Sequence, residues 1–408
     1  MFNSKNHHLA LKGIKILDLT RLIPGAFCTS MLADTGAHVI KIEEPEIGDY
    51  ERNIPPFNEK MASRFFILNR NKESVALDLK KEEGKQIFFN LVKSVDVVIE
   101  GFRPGAMKKL GLDYESLEKI NPKLVYCSIS SFGQDGPYRD VVAHDINILG
   151  MAGFFDITGI KDGPPVIPGV QIADSIAGMN AALSIMIALF ARLNTNKGQF
   201  IDTSMFDGVV SWIFDAARYA FTDKKVPPRG EGRLWGGFPN YNLYETKDHK
   251  YLTVGSLETK FKNILLKKLG RQDLINKNES VTSTYPNEND AETAAFFKKI
   301  FLTKTRDKWI QELEGLNICV GPVNTVEEAL QHPQTLFRKM VVEDCDSFEN
   351  PIRQIGSSLP CSDPCQKCAP GLGEHSRKIL ADIGYGEDEL DIFEKNGVIR
   401  QRDGKGVM

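Results

Sequence analysis

Short apolar runs alternate with helical patterns along the first third of the chain, and this alternation constrains the fold more than any other feature. The apolar runs that predict strands are GIKILDLT (13–20), HVIKIEEP (38–45), SVALDLK (74–80), DVVIEGF (96–102) and LVYCSISSFG (124–133). Helical spacing occupies segments between them, including 24–36 and 82–95. Because apolar strands separated by helices form parallel sheets covered on both faces, we expect an α/β fold.

The middle of the chain follows a different pattern. A long helical region (172–193) is followed, after a second helical stretch, by the Pro/Gly-rich sequence KKVPPRGEGRLWGGFPN, which indicates a domain edge. The segment 241–256 predicts a β-hairpin around the polar turn KDHK, and helical patterns continue from about 259 to 315. We therefore predict a second, smaller α+β domain at about 231–325.

The composition is that of a soluble globular protein, since 42% of the 408 residues are hydrophobic and 26% are charged. A formal net charge of −3 gives no electrostatic basis for binding nucleic acid. The opening MFNSKNHHLALKG lacks the apolar core of a signal peptide. The longest apolar stretch, 181–191, is about half the roughly 20 residues that a bilayer requires. We expect a core helix there and no association with membranes.

Seven scattered cysteines, an odd number, favour reduced thiols and a cytoplasmic location. The cluster CSDPCQKC brings Cys361 close to Cys365 and Cys368, and the last two have the CxxC spacing of zinc ligands. The chain has no second CxxC, and His375 lies seven residues beyond the cluster. We expect a solvent-exposed loop and no metal.

The stretch AHDINILGMAG places His144, Asp145 and Asn147 at the start of an apolar helix. Asp145 or Asn147 could cap that helix, and the imidazole could be a boundary residue of the core. Asp174 enters the long apolar helix, where it is either an N-cap or a partly desolvated base. Glu258 stands between an apolar strand and a helix, where capping is again an alternative. If the fold assembles His144, Asp174 and Glu258, the three groups suit proton transfer at a carbon acid.

A domain that begins strand-loop-helix predicts a nucleotide site at the carboxyl ends of the strands. The first loop, RLIPGAF, lacks the GxGxxG pattern, so a dinucleotide-dependent dehydrogenase is weakly supported.

Seven segments of the chain form a set of motifs. They are GIKILDLTRLIPGAFCTSMLADTGAHVIKIEEPEIGD, SVALDLK, EGFRPGAMKKLGLDYESL, SSFGQDGPY, ITGIKDGPPVIPGVQIADSIAGMNAAL, NKGQFIDTSMFDG and GEHSRKIL. Together these motifs resemble the family III CoA-transferases (the CaiB/BaiF family), which also contain the α-methylacyl-CoA racemases. The resemblance covers about 11–399.

The resemblance implies a Rossmann-like large domain with a parallel sheet, built from both ends of the chain, and a smaller α+β domain. It implies an interlocked homodimer whose active site forms between the large domain of one chain and the small domain of the other. The expected boundaries are 1–205 for the first part of the large CoA-binding domain, 206–230 for a linker, 231–325 for the small domain and 326–408 for the return to the large domain.

The resemblance also assigns catalytic roles, and two subclasses remain open. AHDIN and VGSLETKF resemble racemase segments, so the enzyme is expected to invert the α-carbon of a 2-methyl-branched acyl-CoA. His144 and Asp174 would then be paired acid/bases, with Glu258 orienting the imidazole. In the alternative, a CoA-transferase, Asp174 is the nucleophile that forms an anhydride. A CoA-binding protein without turnover is disfavoured because all three groups are present.

By position, the resemblance further implies a site for coenzyme A, which enters as part of the acyl-CoA substrate, and no other cofactor. The residues concerned are Leu77, Lys80, Gly101, Phe102, Arg103, Lys109, Ala143, Asp145, Ile146 and Asn147. Arginine and lysine suit the phosphates of that ligand. Two positions depart from the family pattern. Glu44 stands where relatives often have arginine, and Ile148 stands where racemases often have tyrosine.

Overall fold

The computed structural model describes residues 9–58, 61–222, 225–275, 286, 288–343, 352–359, 362 and 367–402. The chain divides into two compact units. The first comprises Met1–Ile148, Val170–Val209 and Pro333–Met408, and the second comprises Leu149–Gly169 and Val210–His332.

Short strands occur along most of the chain. They are β1 (Lys15–Asp18), β2 (His38–Glu43), β3 (Phe57–Asn58), β4 (Met61–Ala62), β5 (Lys72–Leu77), β6 (Val97–Glu100), β7 (Val125–Ser130), β8 (Gln199–Ser204), β9 (Asn242–Glu245), β10 (Tyr251–Val254), β11 (Val320–Pro322), β12 (Val341–Glu343), β13 (Arg353–Ile355) and β14 (Ile399–Arg400).

Helices connect these strands. They are α1 (Leu22–Asp34), α2 (Ser63–Leu68), α3 (Glu82–Val92), α4 (Ala106–Leu110), α5 (Tyr114–Leu117), α6 (Asp145–Met151), α7 (Phe154–Ile157), α8 (Ile172–Thr195), α9 (Met205–Trp212), α10 (Phe214–Thr222), α11 (Thr259–Lys268), α12 (Glu288–Phe301), α13 (Arg306–Leu313), α14 (Val326–Leu330), α15 (Pro333–Phe337), α16 (Ser376–Asp382) and α17 (Glu387–Lys395). Single 3-10 turns occur at Tyr50–Asn53 and Gln272–Leu274.

The described part of the first unit contains a seven-stranded sheet in the order β14-β5-β2-β1-β6-β7-β8. Neighbouring strands are parallel except β14, which is antiparallel to β5. From β1 the chain builds outward through β2 and β5, then crosses to the other side of β1 for β6, β7 and β8. This reversal is the topology of the doubly wound nucleotide-binding folds. The predicted Rossmann-like sheet is confirmed.

Apolar side chains cover both faces of this sheet. On one face Phe88 of α3, Leu380 of α16 and Leu390 of α17 are wholly buried in a single core. On the other face α1 packs against α8. Gly178 allows the two helices to approach closely, because a Cβ there would lie 2.6 Å from the carbonyl oxygen of Pro24.

Helix α8 is longer than the apolar stretch that predicted it. Its 24 residues, with a mean hydropathy of 1.7 over the most apolar window, would suffice to cross a bilayer by length and composition. However, 44% of that window is buried, against α1, β7 and β8. The helix is therefore partly buried, and apolar side chains such as Leu183 and Phe190 remain exposed on it.

The second unit contains the antiparallel sheet β11-β10-β9. The predicted hairpin corresponds to β9 and β10, which pair from Tyr251 opposite Glu245 to Val254 opposite Asn242. Buried aromatic residues, among them Tyr244, Phe297 and Trp309, join this sheet to α12 and α13. The unit is a small α+β domain with its own core.

The bounds of the compact units differ from the predicted domain boundaries in three places. The second unit continues to His332 rather than ending at 325. The predicted linker 206–230 contains most of α9 and all of α10, because helical spacing continues to about residue 221 and the Pro/Gly-rich stretch begins only near Pro227. Residues Leu149–Gly169, placed by sequence in the large domain, belong to the second unit.

Candidate active site

The carboxyl ends of β1, β2, β5, β6, β7 and β8 lie along one edge of the sheet. The strand order reverses between β1 and β6, and in open parallel sheets such a reversal leaves a crevice at the carboxyl edge in which ligands bind. The segment after β6 is GFRPG (101–105). The sheet therefore places this predicted CoA-contacting motif at the topological switch point.

The residues predicted to contact CoA follow β5 and β6. Leu77 ends β5 and is buried, whereas Lys80 is exposed three residues further on. Phe102 follows β6 and is half-buried, and the adjoining Gly101 and Arg103 are exposed, as is Lys109 in α4. The side chains of Lys80, Arg103 and Lys109 are thus accessible to a ligand, and their contact with CoA stays a prediction.

Arg21 is a cation that sequence reasoning missed. It follows β1, and its guanidinium lies 5.5 Å from the ring centroid of Phe102 and 5.1 Å from that of Tyr50. Its Nη1 also donates a hydrogen bond to the Tyr50 hydroxyl at 3.0 Å. The only sequence signal was a charged residue directly after a strand that ends at the switch point.

The two departures from the family pattern have structural explanations. The Glu44 carboxylate accepts hydrogen bonds from the backbone N–H groups of Glu46 and Ile47, at 3.1 and 2.7 Å, so it stabilises its own turn. Ile148 is 0% exposed and joins the core.

Helix α6 carries the predicted AHDIN motif. His144, Ile146 and Asn147 are exposed, and Ala143 and Asp145 are half-buried. The Asn147 side-chain oxygen accepts a hydrogen bond from the His144 N–H at 3.1 Å, so Asn147 fixes the start of this helix.

Asp145 caps a helix, but not its own. Its Oδ1 accepts hydrogen bonds from the backbone N–H groups of Ala173 and Asp174, at 2.6 and 3.2 Å, in the first turn of α8. Those N–H groups have no partner within α8. Because Asp145 directly follows His144 in the chain, this contact brings the backbone at His144 next to the backbone at Asp174.

Asp174 is the third residue of α8 rather than its N-cap, a position occupied by Gln171. Burial raises the pKa of Asp174 to about 7, the nearby Asp145 and Glu51 carboxylates raise it further, and Arg64 opposes them. The capping interpretation of Asp174 is therefore wrong, since its backbone N–H is itself capped by Asp145. Its carboxyl group can gain or lose a proton near neutral pH.

Glu51 and Arg64 were not recognised as candidates from the sequence. Arg64 Nε lies 2.7 Å from Glu51 Oε2, and the Glu51 side chain is 3% exposed. The pair acts electrostatically on Asp174. No motif pointed to it, because the contact depends on how α2 packs against the 3-10 turn at Tyr50–Asn53.

Glu258 lies in the second unit, immediately before α11, and is exposed. It occupies the N-cap position, yet its side chain makes no capping hydrogen bond. The structure thus offers no capping role for Glu258. Its predicted partnership with His144, a residue of the first unit, stays a prediction.

A cavity of about 1220 Å³ lies within the second unit. Trp235, Tyr241 and Leu243 line it, together with Thr253 of β10 and Cys319. The segment GGFPNYNLYE (236–245) supplies part of its wall.

The predicted cysteine loop is only partly visible, since Cys361 and Cys365 lie outside the described residues. Cys368 is half-buried and packs beside a core that includes Met61 and Phe65. Among the described residues, no group of three His, Cys, Asp or Glu side chains could hold a metal ion.

Comparison with known proteins identifies the family. The model of CoA-transferase family III matches residues 11–376, so the chain belongs to that family. The α-methylacyl-CoA racemase of Mus musculus is 34% identical over 94% of this chain and 95% of its own length. The succinyl-CoA:glutarate CoA-transferase of Mus musculus is also 34% identical, over 97% of this chain and 91% of its own.

A solved structure agrees with this assignment. The crystal structure of a CaiB/BaiF family protein from Brucella suis has a TM-score of 0.79 and 32% identity, and the match covers 92% of this chain and 99% of that one. The protein is therefore an enzyme of the family III CoA-transferase/racemase group, for which the family implies an acyl-CoA substrate.

Proposed function

We propose that this enzyme is an acyl-CoA racemase or epimerase that inverts the α-carbon of a 2-methyl-branched acyl-CoA. The observation that carries the proposal is the bridge from Asp145 to the first turn of α8, which joins His144 to an aspartate with a pKa of about 7. Inversion through a planar intermediate requires one proton carrier on each face of the α-carbon, and the bridge brings the backbone at His144 close to the helix turn that carries Asp174.

In this mechanism the α-carbon lies between His144 and Asp174. One group removes the α-proton and leaves a planar enolate, and the other group returns a proton to the opposite face. The enolate oxygen needs hydrogen-bond donors, and the candidates are the N–H groups at the start of α6, those of Asp145 and Ile146. Coenzyme A is part of the substrate, and we propose no further cofactor.

The pKa of Asp174 favours proton transfer over nucleophilic attack. An acid/base works best when its pKa is near the working pH, whereas a carboxylate nucleophile gains from staying ionised. Burial and the Asp145 carboxylate push Asp174 toward the first condition.

A CoA-transferase is the second candidate, supported by the similarity to the glutarate CoA-transferase. Here the Asp174 carboxylate attacks the thioester carbonyl, the C–S bond breaks, and the CoA thiolate leaves. The thiolate then attacks the Asp174 carbonyl of the resulting anhydride, so that the first acid leaves as a carboxylate and CoA becomes a thioester of Asp174. A second carboxylate attacks this thioester to form a second anhydride, and the released thiolate attacks the acid's carbonyl, which yields the new acyl-CoA and frees Asp174. In this mechanism His144 has no covalent role.

We further propose that two chains form an interlocked homodimer in which Glu258 approaches His144 of the other chain. The exposed side chains Leu183, Ile187, Phe190 and Leu193 follow one face of α8, and an apolar stripe of this kind is typical of a surface that a partner covers. A monomeric mass by light scattering at micromolar concentration would contradict the dimer. A cytoplasmic location, and the absence of nucleic-acid and membrane partners, stay expectations from the sequence.

The mechanism is tested by incubating the enzyme with a 2-methylacyl-CoA in D₂O. A racemase incorporates deuterium at the α-carbon without any acid acceptor, and His144→Ala lowers racemisation by about 10²–10⁴-fold. Because Asp174 still exchanges the proton on its own face, one enantiomer should continue to incorporate deuterium. If His144→Ala keeps near-full activity while Asp174→Ala has none, the transferase should replace the racemase.

Binding is measured separately. Arg103→Ala should weaken CoA thioester binding by about 1.5–3 kcal/mol, the usual contribution of a hydrogen bond to a charged group. An unchanged dissociation constant would remove Arg103 from the site.

A further inference from the structure

Glu100 is a buried carboxyl group that the proposed mechanism does not use. It ends β6 at the switch point of the sheet and is 4% exposed. Among the described residues, no lysine, arginine or histidine forms an ion pair with it. Burying a carboxyl group without a cation costs free energy, so a structural or functional reason for the burial of Glu100 is expected.

Hydrogen bonds connect Glu100 to two loops. Its Oε2 accepts from the backbone N–H of Phe102 at 2.7 Å, within GFRPG. Its other oxygen, Oε1, is hydrogen-bonded to the Ser128 hydroxyl on β7. Ser128 Oγ in turn accepts from Gln134 Nε2 at 2.7 Å. A continuous chain of polar groups therefore links GFRPG to the segment 131–139.

The same two loops also touch directly. Arg139 Nε donates to the Gln134 carbonyl at 2.9 Å. Its guanidinium lies against Gly105, where a Cβ would come within 3.2 Å of Nη2 and where φ is +81°. Side chains other than glycine rarely adopt that conformation.

We propose that Glu100 is a positioning residue that holds GFRPG against the loop 131–139, and that its proton makes the affinity for CoA depend on pH. The proposal rests on the proposed function, because that function places CoA on GFRPG. Glu100 touches no reacting atom and acts through the loop that does the binding.

Both protonation states of Glu100 preserve the chain of hydrogen bonds. When the carboxyl is protonated, it can donate to Ser128 Oγ instead of accepting, while Phe102 still donates to the other oxygen. Only the charge beneath the loop then changes. Since CoA carries phosphates, an ionised Glu100 repels the ligand and a neutral one does not.

The charge on Glu100 changes in the neutral pH range. Burial raises the pKa of Glu100 to about 7, Asp202 on β8 raises it further, and the bonds from Ser128 and Phe102 oppose them. CoA affinity should therefore be greatest below pH 7 and should fall as the pH rises through that value.

Other titratable groups pack around Glu100. Burial raises the pKa values of Tyr126 and Cys127 on β7, so both stay neutral. On β1 burial works against ionisation of Asp18, but Lys41 and Lys72 outweigh it and keep that pKa low. Asp202 is the other group that could cause a pH dependence of CoA binding, because burial also raises its pKa.

The test measures the dissociation constant of dephospho-CoA by calorimetry from pH 6 to pH 8. Dephospho-CoA lacks the phosphate monoester of CoA, which would itself titrate near pH 6. For the wild type we expect the dissociation constant to rise about three- to tenfold over this range.

Glu100→Gln should bind at pH 8 as tightly as the wild type does at pH 6, with little change across the range. An amide accepts from Phe102 and donates to Ser128, so it reproduces the protonated state. Glu100→Ala removes the link and should bind more weakly at every pH. Glu82→Gln is the matched control, since Glu82 is 84% exposed, and it should keep the wild-type profile.

A wild-type pH profile in Glu100→Gln would overturn the role of Glu100 and transfer it to Asp202. Wild-type affinity in Glu100→Ala would overturn the positioning role. If the Glu100→Ala variant fails to fold, the pH profile of Glu100→Gln still tests whether Glu100 causes the pH dependence. Absence of binding by the wild type at every pH would overturn the proposed function, and the role of Glu100 with it.

Discussion

Asp18 and Glu100 end two adjacent parallel strands and are almost equally buried, at 0% and 4% exposure. Their pKa values are nevertheless shifted in opposite directions. Burial alone would raise the pKa of either group. At Asp18, Lys41, Lys72 and the hydroxyls of Thr20 and Thr29 outweigh burial and lower the pKa to about 2. At Glu100 no cation among the described residues offsets burial, and the pKa rises to about 7.

The charges around Asp18 hold a strained turn. Leu22 has a φ of +63°, which is costly for a residue with a Cβ. Lys41 Nζ donates to the Thr20 carbonyl at 2.8 Å, and Asp49 accepts from the Leu22 N–H at 3.2 Å. Lys41 also pairs with Asp49 at 2.9 Å, both side chains being 0% exposed.

The comparison separates two uses of a buried carboxyl group. At the end of β1 the lysines Lys41 and Lys72 neutralise Asp18, and this charged group stabilises the turn that follows the strand. At Glu100 and Asp174 cations are few, so the proton remains exchangeable near neutral pH. Perturbed carboxyl groups of the second kind are the ones expected at a functional site.

The largest expected loss of stability follows from breaking the buried ion pair between Asp18 and Lys72. Asp18→Asn leaves Lys72 buried without its partner at 3.2 Å and should lower the free energy of unfolding by about 3–5 kcal/mol. Urea denaturation monitored by circular dichroism measures it. The control Glu82→Gln removes an exposed pair with Lys85 and should cost less than about 0.5 kcal/mol. Equal losses in the two variants would contradict the comparison.

Replacing both members of the pair should recover much of this loss. In Asp18→Asn combined with Lys72→Met no unpaired charge remains buried, so the double variant should be more stable than Asp18→Asn alone. Additive losses in the denaturation midpoints would argue against an ion-pair origin.

The free energy of unfolding should change in two separate pH ranges. Asp18 and Glu43, both with pKa values lowered to about 2, contribute stability above pH 4 that is lost as the pH falls toward 2. Glu100 and Asp174 have raised pKa values, so their contribution is full at low pH and is lost as the pH rises through about 7. The second change should be on the order of 1–3 kcal/mol. A flat profile between pH 5 and 8 would be inconsistent with it.

Asp174→Asn tests the carboxyl groups whose pKa is raised, as Asp18→Asn tests those paired with cations. Removing a carboxyl group that ionises unfavourably should raise the free energy of unfolding by about 1–2 kcal/mol at pH 8, and by less at pH 5. Turnover should be lost in the same variant. A destabilised Asp174→Asn protein would mean that the ionised carboxylate is stabilising.

The smallest effect concerns the bridge between α6 and α8. Asp145→Ala removes the cap on the first turn of α8 and should cost about 1 kcal/mol. It also removes a negative charge near Asp174, so the acidic limb of the pH–rate profile should move to lower pH. An unshifted limb would mean that the Asp145 carboxylate does not raise the pKa of Asp174.

Much of the fold was accessible from sequence because strand and helix periodicity is local. The same periodicity placed GFRPG after a strand, and the sheet order then put it at the switch point. The contact between Asp145 and α8 was not accessible, since 28 residues separate its partners. Lys41 was equally hidden, because within HVIKIEEP it resembles a polar residue on an apolar strand, and only the fold shows it to be wholly buried.

The edge strand β14 has a consequence for how the chain folds. Its Ile399 pairs with Leu77 of β5, more than 300 residues earlier. During synthesis β5 therefore remains an unprotected sheet edge until the second unit and α16 and α17 have left the ribosome. Closing so long a loop is slow, and exposed edges invite pairing with other chains. Completion of this edge should be the late step of folding, when the protein is most vulnerable to aggregation.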